Sequence, residues 1–127
     1  MSKEYIHTEK APSAIGAYSQ AVKSGDLVFL SGQIPLNPET MKLVSEDVSE
    51  QINQVFINLN YVLEASDSSL EKILKLNVYL TNLEHFGKVN EHMEKIFKKP
   101  YPARAAIEVK GLPKGALIEI DAIASVK

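Results

Sequence analysis

Between Ala116 and Val126 the chain alternates with a period of two, the signature of a β-strand with two distinct faces. Ile118, Ile120, Ala122, Ala124 and Val126 fall on one face, while Leu117, Glu119, Asp121 and Ile123 share the other. The first face requires a cover of helices. The second carries two charges yet is half apolar, and a one-layer sheet cannot leave such a face in water. Only two helical segments are available, enough for one side. A second copy of the chain is therefore expected against the other, and the protein is read as a homo-oligomer.

The rest of the chain supplies the partners of that strand. Lys23-Ser24-Gly25-Asp26 has turn chemistry and pivots a hairpin over Val22 to Leu30, with Leu27-Val28-Phe29-Leu30 as its β-rich arm. The arm is expected to stop at Ser31-Gly32, because Pro35 and Pro38 forbid a central strand just beyond. A helix starts at Asp47, the N-cap, with Glu50 three residues later in a capping-box pattern. Its apolar face is Val48, Ile52, Val55, Phe56, Leu59, Val62 and Leu63, and Ser66-Asp67-Ser68-Ser69 closes it. Ile73 to Leu80 alternates as a strand. Asn82 caps a second helix running through Phe97, with Phe86, Val89, Met93, Ile96 and Phe97 inward, lysines in its last turn and Pro100 as its stop. Strands over Arg104–Val109 and Ala116–Val126 follow, joined by Lys110 to Gly115. The expectation is one α+β domain over residues 1–127, a mixed sheet with two helices on one face.

Composition removes several classes of function. A chain that is 45% hydrophobic and 24% charged reads as a soluble globular domain. Its net charge of −2 and pI near 5.9 give no general attraction to nucleic acid. The absence of cysteine excludes disulfides, thiolate metal sites and cysteine nucleophiles. No apolar run approaches a membrane span, and the acidic, polar N-terminus does not read as a signal peptide, so a cytoplasmic location is expected. There is neither a P-loop nor a GxGxxG, and His7, His85 and His92 make no metal-ligand pattern, so no cofactor or metal is called for.

Candidate site residues are polar groups in apolar settings. Arg104 lies in Pro102-Ala103-Arg104-Ala105-Ala106-Ile107, with small neighbours and no adjacent acid. An unpaired charge against apolar walls needs an anion, and a planar guanidinium suits a carboxylate taken bidentately. Read alone, the arginine favours a structural ion pair with an internal acid such as Glu119. Glu119, between Ile118 and Ile120, reads alone as a solvated or interface-lining charge. Asn90, beside the buried stripe of the second helix, is a core asparagine or a ligand contact. Ser31-Gly32 is a strand-ending turn or a place where a ligand can approach backbone. Tyr18 is a packing tyrosine or one with its hydroxyl free to bond.

Together these residues select a family. Ala11 to Ala21, Ser31-Gly32-Gln33-Ile34-Pro35, Val89-Asn90, Pro102-Ala103-Arg104 and Ile118 to Ala124 resemble the Rid (YjgF) family, and within it the reactive-intermediate deaminase A subgroup. The resemblance spans essentially the whole chain. It implies a chorismate-mutase-like α+β fold assembled as a homotrimer, with sites between subunits. The implied activity is hydrolysis of 2-iminobutanoate and 2-iminopropanoate, leaked by pyridoxal-phosphate dehydratases, to 2-oxo acids and ammonia. By the same resemblance Arg104 binds the substrate carboxylate and Glu119 manages the water. Tyr18, Ser31, Gly32, Asn90 and Ala106 line the pocket, and Ala106 stands where many members carry cysteine. Such hydrolysis needs no metal, cofactor or covalent nucleophile, only a held carboxylate, a placed water and a group to move protons. A rival reading is a non-catalytic regulator that binds 2-oxo acids in the same cleft. An RNA-cleaving activity, also attached to this family, ranks last on charge.

Overall fold

Alternation in the last strand is realised residue by residue: Ile118, Ile120, Ala122 and Ala124 are buried, while Glu119, Asp121 and Ile123 are half-buried on the opposite face. The structure, a computed structural model, describes residues 2–126. Its strands are β1 (Lys3–Ile6), β2 (Ala21–Ser24), β3 (Leu27–Gln33), β4 (Ile73–Leu80), β5 (Ala103–Glu108) and β6 (Ile118–Ser125), with helices α1 (Val48–Ala65) and α2 (Phe86–Ile96). They form one six-stranded sheet in the order β1-β2-β3-β6-β4-β5, antiparallel throughout except for β4 and β5. That parallel pair is joined through α2, as a parallel connection requires a crossover.

Both helices lie on one face. Every apolar residue assigned above to the inner side of α1 is buried, and these join Val89, Met93 and Phe97 in one core with the inward residues of β3, β4 and β6. Each such Leu, Ile or Val contributes about 1.5–3 kcal/mol. Asp47 caps α1 by accepting the Glu50 N–H at 3.0 Å. The reciprocal half of the capping box is not made by Glu50, because the Asp47 N–H is taken by Ser45 Oγ. The opposite face of the sheet has no cover among the described residues and exposes Leu27, Phe29 and Ile107, the last two at 45% and 49%.

The elements depart from the sequence expectation at several points, and β5 runs one residue earlier at each end than the expected Arg104–Val109. β1 was not expected, since Lys3-Glu4-Tyr5-Ile6 is short and half charged; its backbone pairs along β2. β3 does not stop at Leu30. It continues to Gln33 through a bulge, in which Leu30 pairs with Ala122 and Gln33 with Ile120, so one extra residue is absorbed at Ser31-Gly32. Asn82 caps a 3-10 turn, Leu83–His85, which leads into α2 at Phe86. β6 begins at Ile118 rather than Ala116, because Pro113–Gly115 forms a further 3-10 turn. No helix among the described residues is long and apolar enough to cross a membrane.

Candidate active site

The candidate residues fall into two groups that a single chain keeps apart. The first surrounds Glu119. Its strand neighbour across the bulge is Gly32, and a Cβ there would collide with Glu119 Oε2 and lie 2.8 Å from Glu119 Cδ. Only glycine leaves room for the carboxylate to fold back over β3. Ser31, on the same bulge, donates its hydroxyl to the Ser19 carbonyl at 2.6 Å, and its N–H reaches the Gln20 carbonyl at 3.0 Å. Tyr18 stands nearby, its hydroxyl accepting the Ile15 N–H at 3.2 Å. With Ile15, Gln20 and Leu36 these residues line a cavity of about 380 Å³. Glu119 is pushed above its ordinary carboxylate value, first by burial and then by the nearby Asp121 charge.

The loop before β2 is held by a residue the sequence reading did not single out. Gln20 is buried, and its amide donates to the carbonyls of Thr8 and Pro12 at 3.0 and 2.8 Å while its oxygen accepts the Thr8 N–H at 2.7 Å. It thereby fixes the segment that carries Ile15 and Tyr18. Its signal was slight: a polar residue just before an apolar strand. Across β4 and β6, Asp121 accepts from Asn77 Nδ2 at 2.7 Å and from the Tyr79 hydroxyl at 2.9 Å. The Tyr79 phenol is raised above its ordinary value, chiefly by that bond.

The second group surrounds Arg104. In the β4–β5 pairing Arg104 is level with Leu76 and Ala106 with Val78, both buried, so the two lie on the helix side of the sheet. Arg104 Nη1 donates to Asn90 Oδ1 at 2.5 Å and contacts Met93 Sδ at 3.4 Å, with the guanidinium 4.7 Å over the Phe86 ring. All three partners come from α2, which places the arginine against the edge strand. Asn90 therefore serves Arg104 directly, within the same chain. Ala106 packs partly buried against the core. A cavity of about 320 Å³ opens over Arg104, bounded also by Glu94, Lys99, Tyr101 and Pro102.

The ion pair between Arg104 and Glu119 is not made. Glu119 is level with Tyr79 on the uncovered face, whereas Arg104 is on the helix side and β4 lies between their strands. Among the described residues no carboxylate pairs with Arg104; an ion pair between Lys23 and Asp67 lies on the surface. Nor are three His, Cys, Asp or Glu side chains grouped to hold a metal ion among them.

Residues 8–126 match the family described as Endoribonuclease L-PSP. A RutC family protein of Pyrococcus abyssi is 48% identical over 98% of both chains. A 2-iminobutanoate/2-iminopropanoate deaminase of Dermatophagoides farinae is 40% identical over 95% of this chain and 94% of its own. The crystal structure of RidA from the Antarctic bacterium Psychrobacter sp. PAMC 21119 superposes with a TM-score of 0.93 at 47% identity, covering 96% of this chain and 98% of that one. With near-complete coverage in both sequence and structure, the chain belongs to the Endoribonuclease L-PSP family, the Rid (YjgF) family.

Proposed function

We propose that this protein hydrolyses small 2-imino acids, 2-iminobutanoate and 2-iminopropanoate among them, to 2-oxo acids and ammonia. The observation that carries the reading is Arg104: a guanidinium oriented by Asn90 and Phe86, facing a cavity, with no carboxylate in ion-pair contact with it among the described residues, Glu94 on the cavity wall included. Such a group takes a substrate carboxylate through its remaining donors. A protonated imine beside that carboxylate is already electrophilic, so what remains is to place a water and move its proton. Glu119, lifted toward neutrality by burial, is suited to that work. The likeness to a relative named for this deamination supports the same reaction.

The two groups lie on opposite sides of one sheet, so the site is completed between copies: Arg104, Asn90 and Ala106 of one subunit face Tyr18, Ser31, Gly32 and Glu119 of another. A homotrimer with three equivalent clefts covers the uncovered face, Leu27 and Phe29 included, and light scattering should give three times 14.0 kDa. The net negative charge of the chain does not favour RNA as substrate, despite the family description.

The test couples purified threonine dehydratase to the appearance of 2-oxobutanoate, with semicarbazide competing for the imine. Faster formation in the presence of the protein supports the reading. Binding of 2-oxobutanoate with no effect on the rate would select the regulator instead.

A further inference from the structure

β6 sets two carboxylates on the uncovered face two residues apart, and the sheet treats them differently. Asp121 has a donor on each oxygen, Asn77 Nδ2 on Oδ1 and the Tyr79 hydroxyl on Oδ2. Tyr79 is level with Glu119 in the β4–β6 pairing, yet its hydroxyl reaches diagonally to Asp121. Glu119 has no donor among the described residues; it is half-buried over Gly32. The titratable or charged groups on this side of Glu119 are few. Asp121 shares its strand, Tyr79 faces it from β4, and Tyr18 lines the same cavity. Lys75 lies further along β4, level with Ile123, and β3 presents glycine. Lys114, in the turn before β6, is directed to the Met41 carbonyl.

Resting on the hydrolytic reading above, we infer that Asp121, seated by Asn77 and Tyr79, is a positioning residue whose fixed negative charge makes Glu119 the proton carrier of the reaction. Hydrogen bonds to both oxygens favour the ionised form of a carboxyl group, and a like charge close by disfavours ionisation of its unbonded neighbour. Division of the pair follows from geometry: both oxygens of Asp121 are engaged by donors, and Glu119, with no donor among the described residues, exchanges the proton. The upward displacement of Glu119, to which the Asp121 charge contributes after burial, agrees.

The steps balance with Glu119 alone. A water O–H bond breaks and its proton goes to Glu119. The oxygen bonds to the imine carbon, and the C=N π electrons move to nitrogen. Glu119 then returns the proton to that nitrogen. The hydroxyl oxygen's electrons form the carbonyl as the C–N bond breaks, and the hydroxyl proton leaves with ammonia as ammonium. A carboxylate too weakly basic would be slow in the first step, which is what Asp121 corrects.

Carbon-13 carboxyl NMR of the full chain, without substrate, reads the Glu119 titration directly; pH profiles of kcat/KM on 2-iminobutanoate read its use. In Asp121→Asn the Glu119 midpoint should fall, the acid limb of kcat/KM should move to lower pH with it, and the plateau should drop a few-fold with KM little changed. Tyr79→Phe, which removes one donor and keeps the ring, should move both readouts the same way by less, and it serves as the test if Asp121→Asn does not fold. A Glu119 midpoint unchanged by either substitution overturns the role given to Asp121. A midpoint that shifts in the variants, while the wild-type protein fails to accelerate imine hydrolysis, overturns the hydrolytic reading instead, and the catalytic role with it.

Discussion

Glu119 and Arg104 anchor the two halves of the candidate site, and the fold secures them by different means. Glu119 is held by backbone: a bulge at Ser31-Gly32, a glycine that yields space, and a loop clamped through Gln20. Arg104 is held by side chains of a single helix, Asn90, Met93 and Phe86, at the edge of the sheet. The first arrangement tunes a proton affinity, which needs burial and fixed neighbours. The second presents an always-charged group, whose demand is orientation rather than environment. On the hydrolytic reading proposed above, the division separates the chemistry of the reaction from the grip on its substrate.

Four experiments bear on that division. The largest effect is expected from Glu119→Gln, which keeps the shape and removes the titrating group: kcat should fall by about 10²–10⁴-fold with KM little changed. Arg104→Ala should cost about 2–5 kcal/mol in kcat/KM, mainly through KM, with Arg104→Lys intermediate because the charge stays and the fork is lost. A purely structural arginine would show itself by a fall in melting temperature matching the loss of activity. Mixed and reassembled, Arg104→Ala and Glu119→Gln chains should regain about a quarter of wild-type activity, since a quarter of the clefts in a random cyclic assembly receive both intact halves. No recovery would mean that each site is completed within one chain.

The smallest effect is on stability, and its sign differs between the halves. Glu119 is raised above its ordinary 4.5, so the stability it contributes is full below that value and is lost as pH rises through the folded-state value. His92, on the helix that carries Asn90, stacks on Phe56 at 5.1 Å and is lowered below 6.5 by burial and then by Lys95. Its contribution is present above 6.5 and is lost as pH falls through the lowered value. Mild acidification should thus loosen α2 while favouring the Glu119 side. Melting curves of wild type, Glu119→Gln and His92→Gln across pH 4–7 check this: the first substitution should remove a gain on acidification, the second a loss.

Much of this was legible in residue order, and the exceptions share a cause. Parity along Ala116–Val126 placed Glu119 and Asp121 away from the core without reference to any other strand. The Val48–Leu63 stripe likewise contained its own answer. Gly32 did not, because its meaning depends on a carboxylate arriving from β6 at a register set by a bulge. Arg104 was readable as a charge in want of an anion, but not as a group on the helix side of the sheet, since that follows from how β5 pairs with β4. Asn77, Tyr79 and Asp121 meet only through the β4–β6 register. Tertiary pairing, unlike periodicity, is not written locally.

The bulge also tells what this chain would become without its site. Between Leu30 and Gln33 the strand β3 is longer by one residue than the β6 segment it accompanies. Deleting Ser31 alone would leave Leu30 opposite Ala122 and Gln33 opposite Ile120, and would let Gly32 stand level with Asp121 in an uninterrupted ladder. Ordinarily a one-residue deletion in a strand turns every following side chain inside out. Here it would restore the alternation and leave the neighbouring pairs in place, while abolishing the recess in which Glu119 rests. A more regular sheet is thus one codon away, and its cost would be the carboxylate's seat and the bonds of Ser31 to Ser19 and Gln20.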